Sequence, residues 1–244
     1  MHTHSISEKA GRSPEVSKLS ENLQPTTILD CAEPGIRLLA DQLHEPSPRG
    51  LVQAAHQVLA ERLSPIYDLD ERQPASITLK KGCGSCSQRM ACLEAVSRAA
   101  GIPTRVHAFH VDGKFWYPRF PLWRAFIPRS ILLFWPQFFL DEGWVDRDEL
   151  YGSMSQLAAT STIVFSNEGE SLFEAVKHAP IDFLGKTCGL ACSRPEQDLS
   201  RFVLADEGIF DTRDDALRRF GSLQDTLRGR MFQLLLKGRS SARG

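Results

Sequence analysis

Apolar residues recur at helical or strand spacing along most of the chain. Residues 1–25 are the clear exception: they are rich in Ser, Glu, Lys and Asn and carry no apolar stripe, which predicts a mobile tail. A helix is expected from about Pro34, with Ile36, Leu39 and Leu43 on one side. Ser47-Pro48 supplies a cap and a first-turn proline, and Leu51, Val52, Ala55, Val58, Leu59 and Leu63 follow at helical spacing. A loop over 64–81 then leads to a helix that starts at Cys86 and ends at Gly101. Residues 104–111 read as a strand closed by the Asp112-Gly113 turn signal. Residues 131–140 and 144–145 form an antiparallel pair around Asp141-Glu142-Gly143, with a further strand at 161–165 and a short helix at 171–177. Thr212-x-x-Asp215 is a capping box, and Leu217, Phe220, Leu223, Leu227, Met231 and Leu234 continue it as one helical stripe. The pattern predicts an α+β fold: a helical N-terminal half and a C-terminal helix on a small antiparallel sheet, with the cysteine helix at the centre. One domain is expected over 26–237, without repeats.

Composition narrows the class of function. A length of 244 residues is enough to bury a sizeable core. A formal net charge of −1 supplies no global field for nucleic acid. The longest apolar run, 131–140, is half the length of a membrane span and contains Pro136. Six cysteines without a secretory leader predict a cytoplasmic protein with mostly free thiols.

The chemistry concentrates at Gly84-Ser85-Cys86 and Gly101-Ile102-Pro103-Thr104-Arg105. A thiol at a helix N-terminus feels the positive end of the macrodipole, which favours the nucleophilic thiolate. These two motifs, in this order and spacing, together with the lead-in over 75–82, resemble the core of the transglutaminase-like superfamily, whose fold is related to papain-like cysteine peptidases. The resemblance implies that Cys86 is a nucleophile for acyl transfer or for amide or thioester hydrolysis through an acyl-thioester. It implies a small-molecule or peptide substrate, no metal and no cofactor.

The resemblance also marks a departure. Aligned on Trp144, the family's histidine slot holds Leu133 and its acidic slot holds Gln137. Leucine cannot accept a proton. The histidines nearest in sequence are His107 and His110 on the strand after the cysteine helix. Being three apart, they point to opposite faces, so at most one can look toward Cys86; the position nearer the insertion favours His110. Asp146 and Asp148 follow Trp144, where the family places the aspartate that orients its histidine, and Asp146 is the candidate here. A solvated turn with Arg147 is the plain alternative.

Residues 115–130 form an aromatic insertion between two core strands. Trp116, Trp123, Phe126 and Arg119, with Trp135 from the next strand, are candidate walls of a substrate pocket. The insertion equally suits a fold that has lost its acyl-transfer machinery and binds a small apolar ligand or a partner, or runs a repurposed reaction. Cys83 and Cys86 have the spacing of a redox pair, and with Cys188 and Cys192 that of a four-thiolate metal site; neither is the reading adopted. His44, His56 and His178 are expected at the surface or at a boundary. Oligomeric state is not legible.

Overall fold

The computed structural model describes residues 14–160, 165, 167, 171–186 and 199–236. In chain order these form α1 (Pro14–Glu21), α2 (Pro34–Asp41), α3 (Pro48–Arg62), β1 (Ser64–Pro65), α4 (Ala75–Lys81), β2 (Cys83–Gly84), α5 (Cys86–Ala99) and β3 (Thr104–Asp112). They continue with β4 (Ser130–Leu140), β5 (Gly143–Asp146), α6 (Met154–Thr160), α7 (Leu172–Ala175), β6 (Val203–Phe210), α8 (Arg213–Phe220) and α9 (Leu227–Leu236). The fold is mixed α+β with an antiparallel sheet in the order β5-β4-β3-β6.

Helix α5 is the centre of the molecule. Gln88 through Arg98 are all buried, enclosed by α2, α3 and α4 and by the sheet strand β4. One apolar cluster runs from Ile28 to Leu217 around it. A second, smaller cluster joins Phe120, Ile127 and Ile131 to Phe232 and Leu236 of α9.

Two short features fix how the chain enters α5. The segment expected as a loop contains α4, which ends at Gly82 with φ +67, a left-handed conformation that glycine adopts without steric cost. Strands β1 and β2 then pair in parallel, Ser64 with Cys83 and Pro65 with Gly84. The bond from Ile66 N to Gly84 O (3.1 Å) continues this pairing and sets the segment after β1 beside the start of α5.

The C-terminal stripe does not lie on one helix. Gly221, at φ +77, ends α8, and α9 restarts at Leu227. Phe232 and Leu236 turn inward, while Leu227, Met231 and Leu234 are exposed. Strand β6 has no strong alternation and escaped the periodicity argument; it completes the sheet by pairing with β3. Polarity does not keep the N-terminal segment off the body: Asn22 is buried, and its carbonyl accepts from Thr104 N (3.2 Å). The strand expected at 161–165 lies outside the described residues apart from Phe165, which is buried. Among the described residues no helix is long and apolar enough to cross a membrane.

Candidate active site

Ser85 caps α5. Its hydroxyl accepts from Gln88 N (3.3 Å), and its own N–H donates to Gln88 Oε1 (2.9 Å), a complete capping box. Cys86 is therefore held at the first position of the helix. It is half-buried and lines a cavity of about 120 Å³. Besides the start of α5, the walls include Ile66, Tyr67 and Glu71 after β1; Phe115, Trp116, Arg119 and Phe120 from the insertion; Leu132 and Leu133 from β4; Asn167 and Leu172; and Phe232 and Leu236 from α9. Gly113 lets the insertion begin where it does, since a Cβ there would sit 1.9 Å from the Pro128 carbonyl oxygen.

The cavity is lined mainly by apolar side chains. Leu133, in the histidine slot, is one of its walls. Among the described residues no hydrogen bond reaches the Cys86 sulfur. Burial pushes the thiol up to about 11, opposed by the charges of Arg147, Arg89 and Arg119 and reinforced by that of Glu174. A helix terminus contributes roughly 0.3–1 kcal/mol, less than one pH unit of thiol acidity, so it cannot offset the desolvation. The free protein holds a neutral thiol.

Behind the cavity lies a buried cationic network that sequence reasoning missed. Arg147, expected in a solvated turn, is fully buried and donates to the carbonyls of Leu172 (3.0 Å) and Phe173 (2.5 Å). Arg89 pairs with Glu174 and packs over the Phe173 ring. His56, expected near the surface, is buried: Nε2 lies 2.5 Å from the Phe173 carbonyl and Nδ1 2.6 Å from the Tyr151 hydroxyl. Burial and the Arg147 charge hold the imidazole down to about 3, so it is neutral. Nε2 then carries the proton, and the 3.2 Å approach of Arg147 to that nitrogen is a contact between two donors, not a hydrogen bond.

The structure does not bring the two strand histidines to the cysteine. They fall on opposite faces, as alternation requires, but neither lines the cavity. His107 Nε2 is 2.6 Å from Asp206, and its ring stacks on Phe109. His110 Nδ1 is 2.8 Å from Glu207, and its ring meets Phe220 edge-on. Both partners are carboxylates of β6, the strand that the sequence pattern did not reveal. Asp146 is likewise engaged elsewhere, accepting from Gln137 Nε2 (2.6 Å) and Lys186 Nζ (2.5 Å), while Gln137 accepts from Arg105 (2.6 Å). Asp148 is the buried carboxylate beneath β4: Trp135 Nε1 points at it from 3.4 Å, and burial pushes it up to about 7.

Of the proposed pocket walls, Trp116 and Arg119 line the cavity. Arg119 donates to Asn167 Oδ1 (2.5 Å). Trp123 stacks on Phe120 in the second cluster, Phe126 is exposed, and Trp135 is buried in the main core, so none of these three reaches the cavity. Cys83 is half-buried, and Cys31 and Cys92 are buried; Cys188 and Cys192 lie outside the described residues. Among the described residues no group of three or more His, Cys, Asp or Glu is placed to hold a metal.

The model of the transglutaminase-like superfamily core matches residues 38–148, from α2 through Asp148, and so spans Cys86 and Leu133. No curated protein matches the chain. Among solved structures, a candidate cysteine protease from Cytophaga hutchinsonii is similar at 16% identity and a TM-score of 0.41, over 55% of this chain and 43% of that one. The chain thus spans less than half of that protein's length.

Proposed function

We propose that this chain, whose residues 38–148 form a transglutaminase-like core, is a cysteine-dependent enzyme that transfers or hydrolyses an acyl group through a thioester on Cys86. The observation that carries the reading is the placement of Cys86: first residue of the central helix, sulfur in a cavity walled by the aromatic insertion. The thiol gives up its proton as sulfur bonds the substrate carbonyl carbon. The bond to the departing amine, alcohol or thiol breaks, and that group leaves protonated. Water or an amine then takes the acyl group and restores the thiol. N–H groups of the first turn of α5, unpaired within the helix, are the donors available to a developing oxyanion. An apolar acyl chain against Phe115, Trp116 and Leu133 fits the walls, with Arg119 as the cation at the same cavity for a polar end.

Leu133 in the histidine slot and a thiol pushed up to about 11 favour a second reading, a core that binds an apolar ligand without acyl transfer. One experiment separates the two. The protein is incubated with p-nitrophenyl butyrate, and its intact mass is compared with that of Cys86→Ala. A butyryl adduct that maps to Cys86, is absent from the variant and is released by hydroxylamine supports the enzyme. Saturable binding of butyrate-ester analogues by both proteins, with no adduct on either, supports the binding protein.

A further inference from the structure

The cavity lacks a histidine but not a group able to exchange protons. We propose that Glu71 is the proton acceptor and donor for Cys86, with its carboxyl held by the Ser87 hydroxyl. The proposal rests on the acyl-transfer reading above and supplies the component that Leu133 removes from it.

Three placements carry it. Glu71, Ser87 and Cys86 all line the one cavity, and Ser87 follows Cys86 in the first turn of α5. The Glu71 backbone is held against that turn: Gln88, which closes the capping box, donates its Nε2 to the carbonyl of Asp70 (2.9 Å). The side chains are connected as well, since Ser87 Oγ donates to Glu71 Oε2 (2.5 Å). The direction of that bond is fixed, because Arg213 donates to the same Ser87 oxygen (2.9 Å) and leaves the hydroxyl proton to point at Glu71. Arg213 is anchored by the buried Glu94 (2.7 Å). The other Glu71 oxygen accepts no hydrogen bond from the described residues and is available to the cavity.

Of the other groups at the cavity, Asp68 is tied to Gln233 of α9 and Arg119 is a permanent cation. Asp68 Oδ1 accepts from Asp70 N (2.9 Å) and Gln233 Nε2 (3.0 Å). Burial pushes Glu71 up to about 7, against its bond from Ser87 and the charge of Arg213 and with the charges of Asp68 and Asp70. A carboxyl in that range exchanges protons near neutral pH, where an ordinary glutamate is fully ionised. On the sulfur side, Arg147, Arg89 and Arg119 favour the anion and Glu174 opposes it.

The step balances. The S–H proton passes to the Glu71 carboxylate as sulfur bonds the carbonyl carbon. The resulting carboxylic acid returns it to the leaving group as the scissile bond breaks. Deacylation repeats the cycle with water or an amine as proton source.

Iodoacetamide alkylation of Cys86, followed from pH 5 to 10, tests this in the wild type, Glu71→Gln, Glu71→Asp and Ser87→Ala. The wild-type rate is expected to rise through an inflection near pH 7 and again as the thiol itself ionises. Glu71→Gln should lose the first rise, fall about tenfold or more at pH 7.5 and keep the alkaline limb. Glu71→Asp should retain a shifted inflection, which covers the case of a glutamine variant that folds poorly. A carboxylate acting only as a nearby negative charge predicts the opposite sign, since removing it would make the thiol more acidic and alkylation faster; that result overturns the proposal, as do equal rates. If the Glu71→Gln protein still forms the butyryl thioester at the wild-type rate, the proposal falls and the enzyme reading stands. If the pH 7 inflection is lost as expected but no wild-type thioester forms, the proton exchange stands and the acyl-transfer reading falls.

Discussion

Leu133 on β4 and Cys86 at the first position of α5 are walls of the same cavity, so an isobutyl group belongs to the lining that the sulfur shares. Asp148 is buried, and the indole N–H of Trp135 points at it from 3.4 Å.

Leu133→His should therefore place an imidazole in the cavity. The expected result is a Cys86 alkylation rate at pH 7 raised about tenfold or more, with the thiol's apparent ionisation moved down by at least one pH unit, because an imidazolium stabilises the thiolate. Iodoacetamide kinetics with mass-spectrometric localisation measure it. An unchanged profile would mean that position 133 does not approach the sulfur.

Asp148 makes stability depend on pH in a defined direction. Its folded form is pushed up to about 7 from an ordinary aspartate value near 3.8. The group's contribution to stability is complete below about pH 4 and is lost as pH rises toward 7. Denaturant unfolding from pH 4 to 8 should show Asp148→Asn gaining on the wild type as pH rises, by up to about 4 kcal/mol. The reverse trend would mean that Lys186, 4.0 Å away, holds Asp148 as a stabilised carboxylate.

Removing the Arg147 guanidinium should have two separable effects. Arg147→Met leaves the carbonyl of Leu172 without that donor, at a cost of about 1–3 kcal/mol, while His56 still donates to Phe173. It also withdraws the largest opposing charge from the Cys86 thiol, which should ionise at still higher pH. Chemical denaturation reads the first effect and the alkaline limb of alkylation the second. A variant with an unshifted alkaline limb would place Arg147 electrostatically out of reach of the sulfur.

Arg213 and Glu94 form a buried ion pair, each about 1% exposed. Arg213→Met should destabilise the fold by about 3–5 kcal/mol by stranding the Glu94 charge. Adding Glu94→Leu to that variant should recover most of the loss. If the single variant melts with the wild type, Glu94 is neutral in the fold, as its burial alone would favour.

The cap, proline and periodicity signals located α3, α5 and α8 because each is a local property of the backbone. Ser47, Ser85 and Thr212 accept from their first-turn N–H groups as the sequence requires. The pairing of 131–140 with 144–145 followed from the Asp141-Glu142-Gly143 turn, through which β4 and β5 pair. Other features were invisible for a common reason. Strand β6 reads Val-Leu-Ala-Asp-Glu-Gly-Ile-Phe and has no stripe, because as an edge strand it buries neither face fully. Without it, the carboxylates that occupy His107 and His110 could not be assigned.

By itself, then, the sequence determined the α+β class and the cysteine at the start of the central helix. Each of these depends on residues near one another in the chain. Only the tertiary structure decided which polar groups surround the sulfur. Glu71 sits in a segment that reads as a loop, and Arg147 in one that reads as a turn. Their burial is set by the parallel pairing of β1 with β2 and by packing against α7, contacts between distant segments. The same burial determines the chemistry, because removing a charge from water moves its ionisation further than any neighbouring residue in the sequence does.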